Sequence, residues 1–299
     1  MNPRLDTLIT ALYVTIDDLL KAHPEVCPQR PAVGIVPVTS DSEMITLAVL
    51  AALLGYTTER RWLRYANTHL TSWFPHIPKQ PGYNKRLRAL VVAMGAVQHW
   101  LAQDTRQWFD DVWLADSTPI ECGRSHDTVH RSDLAGWAQY GYCASYSRYF
   151  WGLRLHLVAT LGGLIIGWEL TGAKADERDA LRDILADVGR PGQTIIADKG
   201  YRGVILENDL SGSGITMLRP AMKNEPPRRG GQFFKPLRQT IESINATLKT
   251  HFDIEHHHGR TPAGVTARIL ATILALTAAI WHNEHTNAPI ARSLTAYDH

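Results

Sequence analysis

Thr194-Ile195-Ile196-Ala197-Asp198-Lys199-Gly200-Tyr201 is the stretch whose reading decides the fold. A short β-branched run ends on a carboxylate, and Lys199-Gly200 turns the chain away from it. Runs of this kind, bounded by turn residues, read as strands. Upstream, Trp151 to Thr160 is a second strand, alternating apolar residues with Arg154 and His156. Gly162-Gly163 reads as a hairpin turn into a third strand, Leu164 to Leu170. Asp176 to Val188 is predicted helical, with Glu177, Arg178, Asp179, Arg182 and Asp183 on its polar face and Asp176 as N-cap. Downstream come a short helix from Gly203 to Asp209, a strand from Ile215 to Leu218, and a helix from Leu237 to Phe252.

Val112 to Ala115 adds a strand before all of these, ending at Asp116 in Leu114-Ala115-Asp116-Ser117-Thr118-Pro119. The order is then three strands, helix, strand, helix, strand, helix, which is the order of the ribonuclease H-like α/β fold. It puts Asp116 on the first strand, Asp198 after the fourth and Glu242 on the last helix. Carboxylates brought together from strand ends and a facing helix repel one another unless cations neutralise them, and the fitting occupants are hard, oxygen-seeking ions such as Mg²⁺. Two such ions about 3.5–4 Å apart are a standard device for in-line displacement at phosphorus. The expected chemistry is phosphoryl transfer on nucleic acid, with Asp116, Asp198 and Glu242 as catalytic metal ligands.

The first hundred residues read differently. Leu5, Leu8, Ile9, Leu12 and Ile16 recur at helical spacing, and four prolines from Pro24 to Pro37 then break the chain. Ser40 followed by Glu43 reads as a capping box opening a helix to Leu54, with Gly55 at its end. Helices are also predicted from Thr57 to Leu70 and, after a Pro75–Gly82 loop, from Asn84 to Gln103. The expected architecture is an all-α N-terminal domain over 1–108 and a ribonuclease H-like catalytic domain over 109–299, completed by a C-terminal helix. Val265 to Trp281 is Ala- and Leu-rich, but Arg268 interrupts it. The stretch from Ile269 falls short of the roughly 20 residues a membrane span needs, so a buried helix and no membrane are expected.

The chain has 299 residues, a formal net charge of +2 and three cysteines. Cys27, Cys122 and Cys143 are too few and scattered for a disulfide framework, which suits a reducing cytoplasm. The start of the chain carries Asp6, Asp17 and Asp18 and has no signal-peptide pattern. Charge distribution says more than the sum. Between Arg60 and Arg88 lie seven Lys/Arg (Arg60, Arg61, Arg64, Lys79, Lys85, Arg86, Arg88) and no acid, interleaved with Trp62, Tyr65, Trp73, Phe74 and Tyr83. Such a stripe reads either as a nucleic-acid contact or as a solvated face over core aromatics. A second basic stretch runs from Arg219 to Lys249 and includes Arg228 and Arg229.

Arg238, Glu242 and Lys249 stand at i, i+4 and i+11, within about 40° of one another on a helix. Their bland reading is an ordinary ion pair between Arg238 and Glu242. Cys122, His126 and His130 with Cys143 suggest zinc only weakly, since the spacing lacks the usual paired pattern. His256-His257-His258 are adjacent and cannot all face one ion.

Together, Asp116-Ser117-Thr118-Pro119, Gly141-Tyr142-Cys143-Ala144-Ser145, Gly152-Leu153-Arg154-Leu155-His156, Asp198-Lys199-Gly200-Tyr201, the Arg238/Glu242/Lys249 signature and Phe252-Asp253-Ile254-Glu255-His256 resemble the DDE transposases of bacterial insertion sequences, most closely the insertion-sequence family numbered 982. The resemblance implies that Asp116, Asp198 and Glu242 bind two Mg²⁺ ions, with Mn²⁺ able to substitute. It implies cleavage at the element's ends followed by strand transfer into target DNA. Lys199, Arg238 and Lys249 would then contact phosphates, and Arg60, Arg61, Arg64, Lys85, Arg86 and Arg88 would recognise the terminal inverted repeats. Paired ends imply a homodimer or larger assembly on DNA. Many relatives carry a Tyr three residues before this Arg, where Lys235 stands here. A metal-dependent nuclease and an inactive DNA-binding remnant are the alternatives.

Overall fold

A computed structural model of the chain describes residues 3–29, 33–34, 36–143, 147–228, 230 and 234–297, apart from the side chains of Pro3, Lys235 and Arg238. Ala144 and Ser145 of the quoted motifs, Arg229 of the second basic stretch and the Arg238 side chain thus lie outside what is described. The chain forms two compact units, one from Thr105–Thr250 and one from Met1–Asp104 with His251–His299.

The second of these is helical. It holds α1 (Pro3–Ala22), α2 (Asp41–Leu53), α3 (Glu59–His69), α4 (Gln80–Ala89) and α5 (Val91–Gln103). The α2 start is the predicted capping box, with Glu43 N–H donating to Ser40 Oγ at 3.1 Å. Two boundaries differ from expectation. Pro81 and Gly82 lie inside the first turn of α4, where a proline's missing N–H has no intrahelical partner to lose. The long helix from Asn84 divides at buried Leu90, whose ψ of 6° turns the chain between α4 and α5.

The last helix, α10 (Pro262–His285), packs on α2, α4 and α5. The compact units therefore divide the chain otherwise than 1–108 and 109–299, and the C-terminal helix belongs with the helical unit. It is long and apolar enough to cross a membrane, yet most of that window is buried among its neighbours. The few polar groups it buries are bonded within the unit. Gln98 Nε2 donates to Thr277 Oγ1 at 3.3 Å, and Trp281 Nε1 donates to Asp104 Oδ2 at 2.8 Å.

The other unit is built on one mixed sheet. Its strands are β1 (Val112–Gly123), β2 (Gln139–Cys143), β3 (Arg148–Thr160), β4 (Ile165–Gly172), β5 (Thr194–Ile196) and β6 (Thr216–Leu218). β3 is antiparallel to β1 on one edge and to β4 and β2 on the other, and β5 and β6 continue parallel beyond β1. β2 and the short helix α6 (His126–Arg131) were not anticipated.

β1 is three times as long as its apolar run, continuing through Asp116 and Pro119 to Gly123. A proline is tolerated there because β5 pairs only with Val112 to Leu114, leaving one edge of β1 open further on. α7 (Glu177–Val188) lies on one face of the sheet, so close that a Cβ on Gly167 would stand 2.5 Å from Ile184 Cγ2. α8 (Val204–Gly212) packs on β6. α9 (Phe234–Ala246) covers the face of Leu114, Ala159 and Ile196 with Phe234, Leu237, Ile241 and Ile244. Their spacing of three and four residues makes one apolar stripe.

Candidate active site

Leu114 on β1 and Ile196 on β5 are paired neighbours on adjacent parallel strands. Asp116 and Asp198 each follow two residues later, so both return to the face that α9 covers. Adjacent strands lie about 4.8 Å apart, which sets the two carboxylates side by side. Asp198 caps the short helical turn Lys199–Tyr201, its Oδ1 accepting from Gly200 N–H at 2.6 Å. Beneath them the Tyr201 phenol is buried, and burial with the charges of Glu177, Asp116 and Asp198 holds it protonated.

Asp116 is only partly accessible and has little compensation. Burial, with the charges of Asp198 and Glu177, pushes its carboxyl up to about 6 from the ordinary carboxylate range. Its described side-chain partner is Asn245, whose Nδ2 donates to Asp116 Oδ2 at 2.7 Å. A carboxylate can only accept, so the amide must turn its nitrogen inward. Asn245 Oδ1 is left buried with no hydrogen-bond partner among the described residues.

Glu242 lies one helical turn before Asn245, on the same flank of the α9 stripe, and is exposed. Among the described residues, no three His, Cys, Asp or Glu side chains converge on one point. Asp116 and Asp198 are brought close enough for their charges to interact, while Glu242 stands on the exposed flank of α9.

Two residues that the sequence reading did not single out take part. Glu177 Oε1 accepts from Ser117 Oγ at 2.7 Å and from Arg154 Nη1 at 2.5 Å. Arg154 lay within a quoted motif, so a signal existed for it, whereas Glu177 was read only as one acid on the polar face of a helix. Asp176 itself caps α7, and the Arg178 guanidinium beside it holds its carboxyl down at about 2. His156 pairs with Ser117 across the strands, and burial pushes it down to about 4, so it is neutral at physiological pH.

The basic residues divide. Arg60, Arg61, Arg64 and Lys85 are exposed on α3 and α4. Arg86 bonds inward to Asp41 Oδ1 at 2.6 Å and to the Thr39 carbonyl at 2.7 Å. Arg88 is half-buried, with its Nε 3.4 Å from the Asn84 carbonyl. Trp62, Phe74 and Tyr83 are core residues of the helical unit, so these aromatics belong to packing and not to the stripe. Lys199 is exposed beside Asp198, and Lys249 is half-buried in the π-helical turn Thr247–His251.

A family model described as the transposase DDE domain matches residues 107–278, more than half of the chain. The chain belongs to the transposase DDE domain family. The match spans Asp116, Asp198 and Glu242 of this DDE domain and reaches into α10. Among solved structures, a piggyBac transposase synaptic complex with hairpin DNA is similar over 97% of this chain and 75% of its own, at 9% identity and a TM-score of 0.43. The Mos1 transposase paired-end complex with left transposon end is similar over 77% and 76%, at 11% identity and a TM-score of 0.24. No curated protein matches the sequence.

Proposed function

We propose that this DDE-domain chain is an insertion-sequence transposase, most like the family numbered 982, which cuts DNA at the element's ends and joins the freed strand to a target. The observation that carries this is that Asp116 and Asp198 each lie two residues beyond the paired Leu114 and Ile196 of adjacent parallel strands, with Asn245 of the Glu242 helix bonded to Asp116. The β4-β3-β1-β5-β6 order, antiparallel on one side of β1 and parallel on the other, supports a ribonuclease H-like core.

The donors suit a hard divalent cation. They are carboxylate oxygens held close against their own repulsion, beside an amide oxygen that has no partner among the described residues. Asp116, Asp198 and Glu242 would hold two Mg²⁺ or Mn²⁺ ions, which when bound supply Lewis-acid stabilisation at the scissile phosphate. Asn245 fixes the Asp116 carboxylate through one oxygen, and the Gly200 amide fixes that of Asp198. Lys199, Arg238 and Lys249 are proposed phosphate contacts. Holding two ends calls for a homodimer or larger assembly on DNA, acting in the cytoplasm.

Purified protein incubated with Mg²⁺ or Mn²⁺ and labelled DNA flanking its own gene is expected to yield joined products, and Asp198→Ala none. Cleavage without joining would favour a nuclease, and binding alone a DNA-binding remnant. The outward cations of the helical unit are proposed to read the terminal repeats. Replacing Arg60, Arg61 and Arg64 by Ala together should lower the salt slope of end binding by about 3, one for each phosphate no longer neutralised. Unchanged affinity and slope would remove the recognition role.

A further inference from the structure

Glu177 opens α7 with its two carboxylate oxygens in different surroundings. Oε1 takes both donors, Ser117 Oγ and Arg154 Nη1. The same Arg154 nitrogen donates to Ser117 Oγ at 3.1 Å, and Nη2 donates to the Tyr142 carbonyl at 3.3 Å. Oε2 faces the turn that follows Asp198. A Cβ placed on Gly200 would stand 3.5 Å from Glu177 Oε2 and 2.8 Å from Asp198 Oδ1. The missing side chain at Gly200 thus lets the two carboxylates share one open space.

Arg–carboxylate pairs are frequently two-pronged, with both carboxylate oxygens on the guanidinium. Here Arg154 and Ser117 crowd one oxygen and leave the other turned toward Asp198. Ser117 is the residue after Asp116, so Glu177 touches the strand that carries one proposed ligand and faces the turn that carries the other. Although Glu177 is ion-paired with Arg154, its charge still acts on the Asp116 carboxyl together with that of Asp198.

We propose that Glu177 is a positioning residue that raises the divalent-ion affinity of the Asp116–Asp198 site, its Oε1 fixed by Ser117 and Arg154 and its Oε2 directing charge at the Asp198 turn. This rests on the reading of that site as a cation site. Partners that stand behind metal ligands typically change affinity 10–100-fold when altered.

The test is calorimetric titration of the metal-free full-length chain with Mn²⁺, alongside thermal melting without metal. Glu177→Gln keeps an oxygen for Ser117 and Arg154 and removes the charge. Its dissociation constant for Mn²⁺ should rise at least about 10-fold. Glu177→Asp keeps the charge but falls one methylene short of the turn, and should lie between Gln and wild type. Wild-type affinity in Glu177→Gln, with binding lost in Asp198→Ala, would overturn the role of Glu177 and leave the site standing. Wild-type affinity in Asp198→Ala would instead overturn the site. If Glu177→Gln does not fold, wild-type affinity in Glu177→Asp overturns the proposal.

Discussion

Asp116→Asn should abolish DNA cleavage and, without metal, make the chain more stable at pH 8 than the wild type. The two effects have one cause. Burial, then the neighbouring charges of Asp198 and Glu177, raises the Asp116 carboxyl to about 6 in the folded chain, against an ordinary value of 3.8. Between those values the folded state holds a proton that the unfolded state has lost. Unfolding stability therefore falls as pH rises through that window. Two units correspond to about 3 kcal/mol at most, and residual access to water reduces this to about 2 kcal/mol.

Asn does not ionise, and its side-chain oxygen still accepts from Asn245. The advantage of Asp116→Asn should be about 2 kcal/mol at pH 8 and vanish below about pH 3, where both folded and unfolded Asp116 are protonated. Denaturant unfolding in a chelator at the two pH values measures it. A difference that does not grow with pH would show that Asp116 is not held against its own charge. Activity should fall at least about 10³-fold, because a lost metal ligand removes several kcal/mol of transition-state stabilisation.

The proposed ligands Asp116 and Asp198 stood out in the sequence because each closes a short apolar run of strand type. A β-branched run closing on Asp198 and an apolar run closing on Asp116 become adjacent strands, paired in parallel as far as Leu114 and Ile196. What lay hidden has physical reasons. β1 continues past Asp116 through Ser, Thr and Pro, which local preference reads as a turn; pairing with β3 overrides it. The break at Leu90 carries neither glycine nor proline. α10 is apolar on every side, so no stripe on it says which partner it meets, and only packing assigns it to the helical unit. Glu177 and Asn245 become visible as site residues only when α7 and α9 are laid on opposite faces of the sheet. In sequence they are one acid among several on a polar helix face, and one amide among apolar residues.

Ile244→Ala and Glu242→Gln should separate the scaffold of the site from its chemistry. Ile244 is fully buried in the cluster of Leu114, Ala159 and Ile196 that seats α9 on the sheet. Truncating it removes buried carbons and leaves a cavity, at a cost of about 2–5 kcal/mol. Asn245 is the next residue, so its 2.7 Å bond to Asp116 should loosen with the helix, and joining activity should fall along with stability. Glu242 stands on the exposed flank, where a neutral replacement of the same shape should shift stability by less than about 1 kcal/mol. Its joined products should nevertheless disappear, because the carboxylate is the proposed third metal ligand. Melting temperature and strand-joining yield, measured on both variants, give the contrast. Stability lost with activity in the first, and activity lost alone in the second, is the expected pair. Full joining by Glu242→Gln would instead remove Glu242 from the metal set and leave Glu177, already facing the Asp198 turn, as the third carboxylate at this site.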